Sequence, residues 1–162
     1  MNKIKLDTLT LSDFDKTNIE HINFFKKLSH DKSIESRFQG LGVGLLHTYD
    51  KTFFDRGFFV QLNDKLIGYL NVGNFNELEN CVYLREAIDE NLRGNSYGKL
   101  LLKEITEYIF SNYMQVEKII IKIAPDNIPS LNTASSCGYK LLCSDYYYSS
   151  NPYLEMEPLS RN

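Results

Sequence analysis

One segment, residues 81–113, constrains the fold more than any other part of the chain. Val82, Leu84 and Ile88 fall on one alternating phase, which predicts a strand with one buried face. Apolar residues then return at steps of three and four, which predicts a long amphipathic helix beginning at a glycine-containing turn. Such a turn directs unpaired backbone N–H groups and the positive end of the helix dipole to one point. The segment therefore predicts a phosphate-binding turn.

The spacing within this turn separates the kinds of phosphate site. A Walker-type P-loop has four residues between its glycines and a Ser or Thr after its Lys. Here only three residues separate Gly94 from Gly98, and Leu100 follows Lys99. A dinucleotide fingerprint is also missing, because no G-x-G-x-x-G follows the strand. A magnesium-dependent nucleotide-binding domain is therefore disfavoured.

The turn resembles the Arg/Gln-x-x-Gly-x-Gly/Ala loop of the GNAT superfamily of N-acetyltransferases, which binds the pyrophosphate of acetyl-coenzyme A. Arg93 and Gly98 match that pattern. A second segment, Asn127-x-x-Ser130 with a Gly-Tyr pair at 138–139, resembles the Asn-x-x-Ser/Ala and Gly-Phe signature of the same superfamily. The two motifs occur in the expected order and spacing.

Ser96 departs from the pattern, because it stands where the superfamily usually has its middle glycine. If the position requires positive φ, a Ser there costs about 1–2 kcal/mol and its side chain narrows the approach of the pyrophosphate. Alternatively, the loop keeps a φ that Ser tolerates, and the hydroxyl adds a donor to the phosphate. Both alternatives stay open at this point.

The resemblance implies an α/β (α+β) fold in a single N-acetyltransferase domain over residues 1–162. A mixed central sheet of about six to seven strands and about four helices is expected. Two strands, about 81–88 and 117–124, are expected to splay apart at their C-terminal ends. Backbone groups left unpaired in such a gap need a partner, and the amide-bearing pantetheine arm supplies one as an added strand would.

The resemblance also implies which residues bind the cofactor. Backbone groups around Glu86 would contact pantetheine, the turn would bind the pyrophosphate, and Asn127 would bond near pantetheine while also occupying a helix N-cap. The predicted set consists of Glu86, Ala87, Ile88, Arg93, Gly94, Asn95, Ser96, Tyr97, Gly98, Lys99, Asn127 and Ser130.

Catalysis requires a base for the attacking ammonium and an acid for the leaving thiolate. Glu86 is the predicted base, because a charge is unexpected on the apolar phase of its strand; the alternative is a rim carboxylate that faces solvent. The usual acid and base positions of many relatives hold Ala134 and Lys122. Ser130 agrees with the RimJ/RimL-like branch of ribosomal-protein N-acetyltransferases, in which this Ser lies close to the sulfur. Tyr147, within a tyrosine cluster, is a candidate phenol donor; the alternative is a packed or substrate-facing aromatic patch.

The remaining elements follow from periodicity and turn residues. The sequence predicts a first strand over 4–12, a helix over 16–28, a hairpin of 57–62 and 65–72, a buried strand at 117–124 and a helix from 128 to 137. Closing strands are predicted at 139–142 and 152–157, with residues 145–150 between them. Residues 33–56 are predicted as short helices around a glycine-rich segment, which is either a flexible lid or a plain connector.

Composition narrows the partners. A net charge of −3 disfavours a nucleic-acid binder, and no run approaches the roughly 20 apolar residues of a membrane span. Three cysteines without C-x-x-C spacing predict no disulfide framework or metal site, and a cytoplasmic location. The predicted function is acetyl transfer from acetyl-coenzyme A to a primary amine, on a small molecule or a protein N-terminus, by direct attack on the thioester; a homodimer is left open. The alternative is a non-catalytic acyl-coenzyme A-binding module, which Ala134 and Lys122 favour.

Overall fold

The computed structural model describes residues 3–31 and 53–151, and within them eight strands form one mixed sheet. The strands are β1 (Lys3–Lys5), β2 (Thr10–Ser12), β3 (Arg56–Leu62), β4 (Lys65–Asn76), β5 (Cys81–Ile88), β6 (Lys118–Lys122), β7 (Lys140–Cys143) and β8 (Tyr146–Ser150). The described helices are α1 (Ile19–His30), α2 (Tyr97–Asn112), α3 (Ile128–Ser136) and a 3₁₀ turn at Glu90–Leu92. The sheet order is β1-β2-β3-β4-β5-β6-β8-β7. The predicted mixed α/β class is confirmed, with more strands than the six or seven expected.

The prediction of one N-terminal strand is wrong, because β1 and β2 form an antiparallel hairpin. The amide of Leu6 donates to the carbonyl of Leu9 at 2.8 Å and closes the turn. Glu104 of α2 fixes that turn from far along the chain, because its Oε1 accepts from the amides of Thr8 and Leu9, the latter at 3.0 Å. Alternating apolar residues run through both arms, so the pattern reads as one strand.

The C-terminal half of the sheet also differs from the prediction. The predicted strand at 139–142 is present as β7, but residues 146–150, predicted as a connection, form β8 between β6 and β7. Consecutive tyrosines suit a strand, and here they supply the antiparallel partner of β6. The predicted strand at 152–157 and the predicted helices and loop within 33–52 lie outside the described residues.

Helices cover both faces of the sheet. On one face α1 buries Phe24 and Leu28 against Phe59, Tyr69 and Ala87. On the other face, α2 and α3 pack on the larger core; its members include Val82, Leu84, Leu101, Ile105, Ile109, Ile119, Ile121 and Ala134. The predicted helix over 16–28 begins later, at Ile19, because the Asn18 side chain caps it by accepting from the amide of Glu20 at 2.9 Å.

The predicted hairpin at 57–72 is confirmed as β3 and β4. Its turn residues Asn63 and Asp64 have φ of 50° and 64°, the left-handed pair that a two-residue hairpin turn needs. On β4, Gly68 lies against β5 so closely that an added Cβ would stand 2.5 Å from the carbonyl oxygen of Ala87. Gly68 therefore lets β5 approach at the point where β5 ends.

Gly68→Ala is expected to lower the free energy of unfolding by about 1–3 kcal/mol, because the new methyl group must displace a backbone carbonyl. Gly98→Ala is the matched control, since its Cβ would meet its nearest neighbours at 3.6 and 3.8 Å. Urea unfolding of both variants measures the difference. Equal stabilities would contradict the close approach at Gly68.

The predicted parting of two central strands is present. β5 and β6 pair in parallel from Cys81 and Lys118 to Leu84 and Ile121. β5 continues to Ile88 while pairing with β4, so its last residues have no paired strand on the β6 side within the described part of the chain. The result is a cleft at the C-terminal ends of β5 and β6, directly before the turn into α2.

Candidate active site

The turn between β5 and α2 presents unpaired backbone donors. Gly94 and Ser96 adopt left-handed φ of 85° and 62°, and Ser96 is the N-cap of α2 without making a side-chain capping bond. The amide of Leu100 makes the first bond of the helix, to the carbonyl of Ser96 at 3.0 Å. The amides of the three residues before Leu100 precede that bond, so they have no acceptor within the helix. Together with the helix dipole, these amides are arranged in a way that suits an anion.

Glu86 faces this site from β5. Its Oε1 lies 3.6 Å from the position that a Cβ on Gly98 would occupy. The residue as a whole is half-buried, but its Oε2 is fully buried and has no hydrogen-bond partner in the described part of the chain. Burial raises the pKa of Glu86 from 4.5 to about 8. The predicted inward orientation is thus present, and the alternative of a solvent-facing rim carboxylate is wrong.

Two residues near Glu86, Cys137 and Tyr139, were not predicted as site residues, although Tyr139 belongs to the Gly-Tyr pair of the second motif. Burial raises the pKa of the Cys137 thiol and of the Tyr139 phenol, and the negative charge of Glu86 adds to both increases. The Cys137 thiol donates to the Lys99 carbonyl at 3.6 Å, so α3 closes against the first turn of α2. The Tyr139 and Thr106 hydroxyls lie 2.8 Å apart. No sequence signal places either residue beside Glu86, because the approach depends on how α3 packs on α2.

The backbone of β5 has a definite orientation at the cleft. The amide of Asp89 donates to the carbonyl of Ile67 at 2.9 Å, and Gly68 pairs with Ile88. Because antiparallel pairs alternate, the N–H and C=O groups of Glu86 and Ile88 point away from β4 toward the cleft, whereas those of Ala87 point toward β4. Of the three residues predicted to contact pantetheine through their backbone, Glu86 and Ile88 therefore have the required orientation.

A protein-family model matches this chain. The model of the Acetyltransferase (GNAT) family matches residues 15–139, which include β5, the turn, α2 and α3. The chain belongs to this family. The predicted enzyme class, an N-acetyltransferase that uses acetyl-coenzyme A, is thereby confirmed. No curated protein sequence matches the chain significantly.

Solved acetyltransferases share the fold of this family member. A spermidine N-acetyltransferase SpeG chimera from Vibrio cholerae and hSSAT is 17% identical with a TM-score of 0.71, over 92% of this chain and 99% of the other. Campylobacter jejuni N-acetyltransferase PseH, solved with acetyl coenzyme A, is 20% identical with a TM-score of 0.64, over 88% and 98%. A candidate ribosomal-protein-serine acetyltransferase from Vibrio cholerae is 17% identical with a TM-score of 0.64, over 92% and 97%. At these identities, the likenesses show the fold.

The site of this acetyltransferase fits coenzyme A. The amides at the start of α2 suit a diphosphate, and an added Cβ on Gly94 would meet nothing within 4 Å, so the outer side of the turn is open. Asn95 closes the turn through its side chain, which donates to the carbonyl of Leu92 at 3.0 Å. The cleft-facing groups of Glu86 suit an amide chain. Tyr97 is half-buried at the first helical position and Lys99 is exposed.

The other predicted site residues of the acetyltransferase lie on α3 and β8. Asn127 occupies the N-cap of α3, as predicted, although its side chain makes no capping hydrogen bond. Ser130 is half-buried in the first turn of α3. Tyr147 pairs with Ile121 and packs against the larger core, on the sheet face that Glu86 shares. Tyr146 and Tyr148 lie on the opposite face, where the ammonium groups of Lys122 and Lys118 lie over their rings.

Two further features concern metal binding and membrane insertion. Among residues 3–31 and 53–151, no three His, Cys, Asp or Glu side chains are grouped so as to hold a metal ion. In the same residues, every helix is too short or too polar to span a membrane.

Ser96→Gly is expected to raise the free energy of unfolding by about 1 kcal/mol, because Gly relieves the left-handed strain at φ 62°. Because φ of Ser96 is positive, the first of the two interpretations applies: the Ser side chain is strained at this position and is expected to weaken cofactor binding. Coenzyme A should therefore bind more tightly to the Gly variant in calorimetry. Ser96→Ala, which keeps the strain and removes the hydroxyl, is the control. Weaker binding by both variants would instead assign the hydroxyl a phosphate contact.

Proposed function

We propose that this acetyltransferase transfers acetyl from acetyl-coenzyme A to a primary amine by direct attack on the thioester, within one domain over residues 1–162. The observation that carries the proposal is the buried Glu86 carboxyl beside Gly98, whose Oε2 has no hydrogen-bond partner in the described part of the chain. An unsatisfied buried carboxyl is costly to maintain, so its position at a cofactor cleft points to a functional role.

The binding residues divide by the part of the cofactor that they contact. The amides of Tyr97, Gly98 and Lys99 hold the diphosphate, and the cleft-facing backbone of Glu86 holds the pantetheine amides. Asn127 and Ser130, on the adjacent α3, lie toward the thiol end. Bound acetyl-coenzyme A supplies an acetyl group that is already activated as a thioester.

Glu86 acts as the general base. A carboxyl with a pKa of about 8 is about one-tenth ionised at pH 7 and half-ionised near pH 8, so its ionised form can take up a proton from an ammonium group. Its burial also strengthens its interaction with a cation that enters the cleft. Ser130 and Tyr147 are the candidates for returning a proton to the thiolate, and Tyr147 shares the sheet face of Glu86.

The acceptor is proposed as a protein N-terminus or a small-molecule amine. Ser130 supports a place near the RimJ/RimL-like branch, in agreement with the likeness to the candidate ribosomal-protein-serine enzyme. Small polyamines and aminoglycosides are the second class to test. The structures of a spermidine acetyltransferase chimera and of an aminoglycoside acetyltransferase solved with coenzyme A and kanamycin share the fold.

The test is release of free thiol from acetyl-coenzyme A. The purified chain is incubated with peptides that have free N-termini, with spermidine and with kanamycin, and an N-acetylated peptide serves as the blocked control. Thiol release that requires a free amine supports the proposal. Coenzyme A binding in calorimetry without thiol release on any amine would instead support the non-catalytic module, for which Ala134 and Lys122 are the specific observation.

A further inference from the structure

The side chain of Arg93 connects two elements that are far apart in sequence. Its Nε donates to the carbonyl of Ile88, the last residue of β5, at 3.2 Å. Its Nη2 donates to Oδ2 of Asp31, the C-cap of α1, at 2.8 Å. The Asp31 side chain is only 7% exposed, whereas that of Arg93 is 43% exposed. The guanidinium therefore already donates hydrogen bonds to two protein groups, through Nε and through Nη2.

The Ile88 carbonyl has no strand partner of its own in the described part of the chain. It points toward the cleft, on the side where β6 has ceased to pair with β5. A carbonyl left without a strand partner needs a donor, and Arg93 supplies it from five residues ahead in the chain. This bond fixes the direction in which the chain leaves β5 and enters the turn at Gly94.

Asp31 anchors the other end of the guanidinium to α1, which packs on the sheet through Phe24 and Leu28. A second ion pair joins the same two regions, because Lys27 Nζ lies 2.7 Å from Asp89 Oδ2. The other carboxylate oxygen of Asp89 accepts from the amide of Asn91 at 3.1 Å, at the start of the 3₁₀ turn. Helix α1 thus holds the segment between β5 and α2 at two points.

We infer that Arg93 and Asp31 are positioning residues for the cofactor turn. Arg93 holds the turn in the shape that presents the amides of α2, and it does not bind the diphosphate through its guanidinium. The inference rests on the proposed function only in that the turn binds coenzyme A; it does not depend on the identity of the amine.

The substitution Asp31→Asn distinguishes a diphosphate-binding role of Arg93 from a positioning role, because the two roles predict opposite changes in coenzyme A affinity. If Arg93 were a diphosphate ligand, removing the competing carboxylate would strengthen coenzyme A binding, because a negative charge also leaves the neighbourhood. If Arg93 positions the turn, the same change weakens binding. We expect the dissociation constant of coenzyme A in calorimetry to rise about tenfold, as for the loss of one charge-assisted bond.

The control is Asp7→Asn, which removes the same charge in the exposed turn between β1 and β2. Arg93→Lys is the second variant, since an ammonium group retains a point charge for phosphate but cannot bridge Ile88 and Asp31. The expected result is weaker binding by Asp31→Asn and Arg93→Lys and unchanged binding by Asp7→Asn. At saturating acetyl-coenzyme A, kcat should change little while KM for that cofactor rises. Tighter or unchanged binding by Asp31→Asn, or wild-type binding by Arg93→Lys, would overturn the inference.

A ligand-free readout distinguishes this inference from the proposed function. Hydrogen exchange of the hydrogen-bonded amides of Leu92 and Leu100, which flank the turn, should be faster in free Asp31→Asn than in the free wild type and unchanged in Asp7→Asn. Faster exchange in a protein that releases no thiol would keep the positioning role and reject the enzyme activity. Unaltered exchange in an active enzyme would reject the positioning role alone.

Discussion

Gly98→Asp is expected to abolish coenzyme A binding, with affinity reduced at least about a hundredfold. The substitution places a carboxylate at the start of α2, where the free amides are proposed to hold the diphosphate. It also places that carboxylate beside Glu86, whose Oε1 lies 3.6 Å from the point that a Cβ on residue 98 would occupy. The new carboxylate therefore repels the diphosphate and lies against the buried Glu86 carboxyl. Isothermal calorimetry with coenzyme A measures the loss.

Two matched controls isolate the charge at position 98. Gly98→Asn has the shape of Asp without the charge, and Gly98→Ala adds only a methyl group that meets its neighbours at ordinary contact distances. We expect Ala to bind nearly as well as the wild type and Asn to bind with intermediate affinity. Wild-type affinity in the Asp variant, with its fold intact by circular dichroism, would place the diphosphate elsewhere.

Glu86→Gln is expected to reduce kcat by about a hundredfold or more, the usual contribution of a general base. In the wild type, kcat/KM should rise with pH, reach half of its maximum near pH 8 and level off above it, because burial raises the pKa of Glu86 to about 8 and the base acts when ionised. The Gln variant should lack this limb of the profile. Glu107→Gln, on the exposed side of α2, is the control. A Gln variant with the wild-type pH profile would assign the base to another residue.

Glu86→Gln is also expected to change how the stability of the protein depends on pH. The folded state holds the Glu86 proton up to about pH 8, whereas the unfolded chain releases it near 4.5. Stability from this group is therefore complete below pH 4.5 and is lost as pH rises toward 8, where the folded state must ionise a buried carboxyl. Glu86→Gln should melt at a higher temperature than the wild type at pH 9 and at nearly the same temperature at pH 4. A constant difference across this range would contradict the burial of the carboxyl.

Local patterns predicted the part of the molecule in which we propose the cofactor site. The alternation of Val82, Leu84 and Ile88 defined β5, and the glycine-bearing turn located the start of α2. The phase of β5 also placed Glu86 on the buried face, and its unpartnered Oε2 agrees with that interpretation. These features depend on residues that are adjacent in sequence, so the local pattern of apolar residues and glycines is enough to predict them.

Features that depend on distant contacts were not predictable in the same way. The β1–β2 hairpin depends on Glu104, whose bond to Leu9 spans a separation of 95 residues. The bond between Arg93 and Asp31 spans 62 residues, and nothing in the sequence around either residue indicates that the two are paired. β8 was missed because a strand between β6 and β7 is defined by its partners and not by its own alternation. In each case the sheet or helix packing decides the local structure.

A crystal structure of the protein with coenzyme A tests the central claim most directly. The account predicts the diphosphate within hydrogen-bond distance of the amides of Tyr97, Gly98 and Lys99. It also predicts the pantetheine arm along the cleft-facing backbone of Glu86, and the Arg93 guanidinium still bonded to Asp31. A diphosphate bound away from the start of α2, or a cleft closed by continuous pairing of β5 with β6, would contradict it.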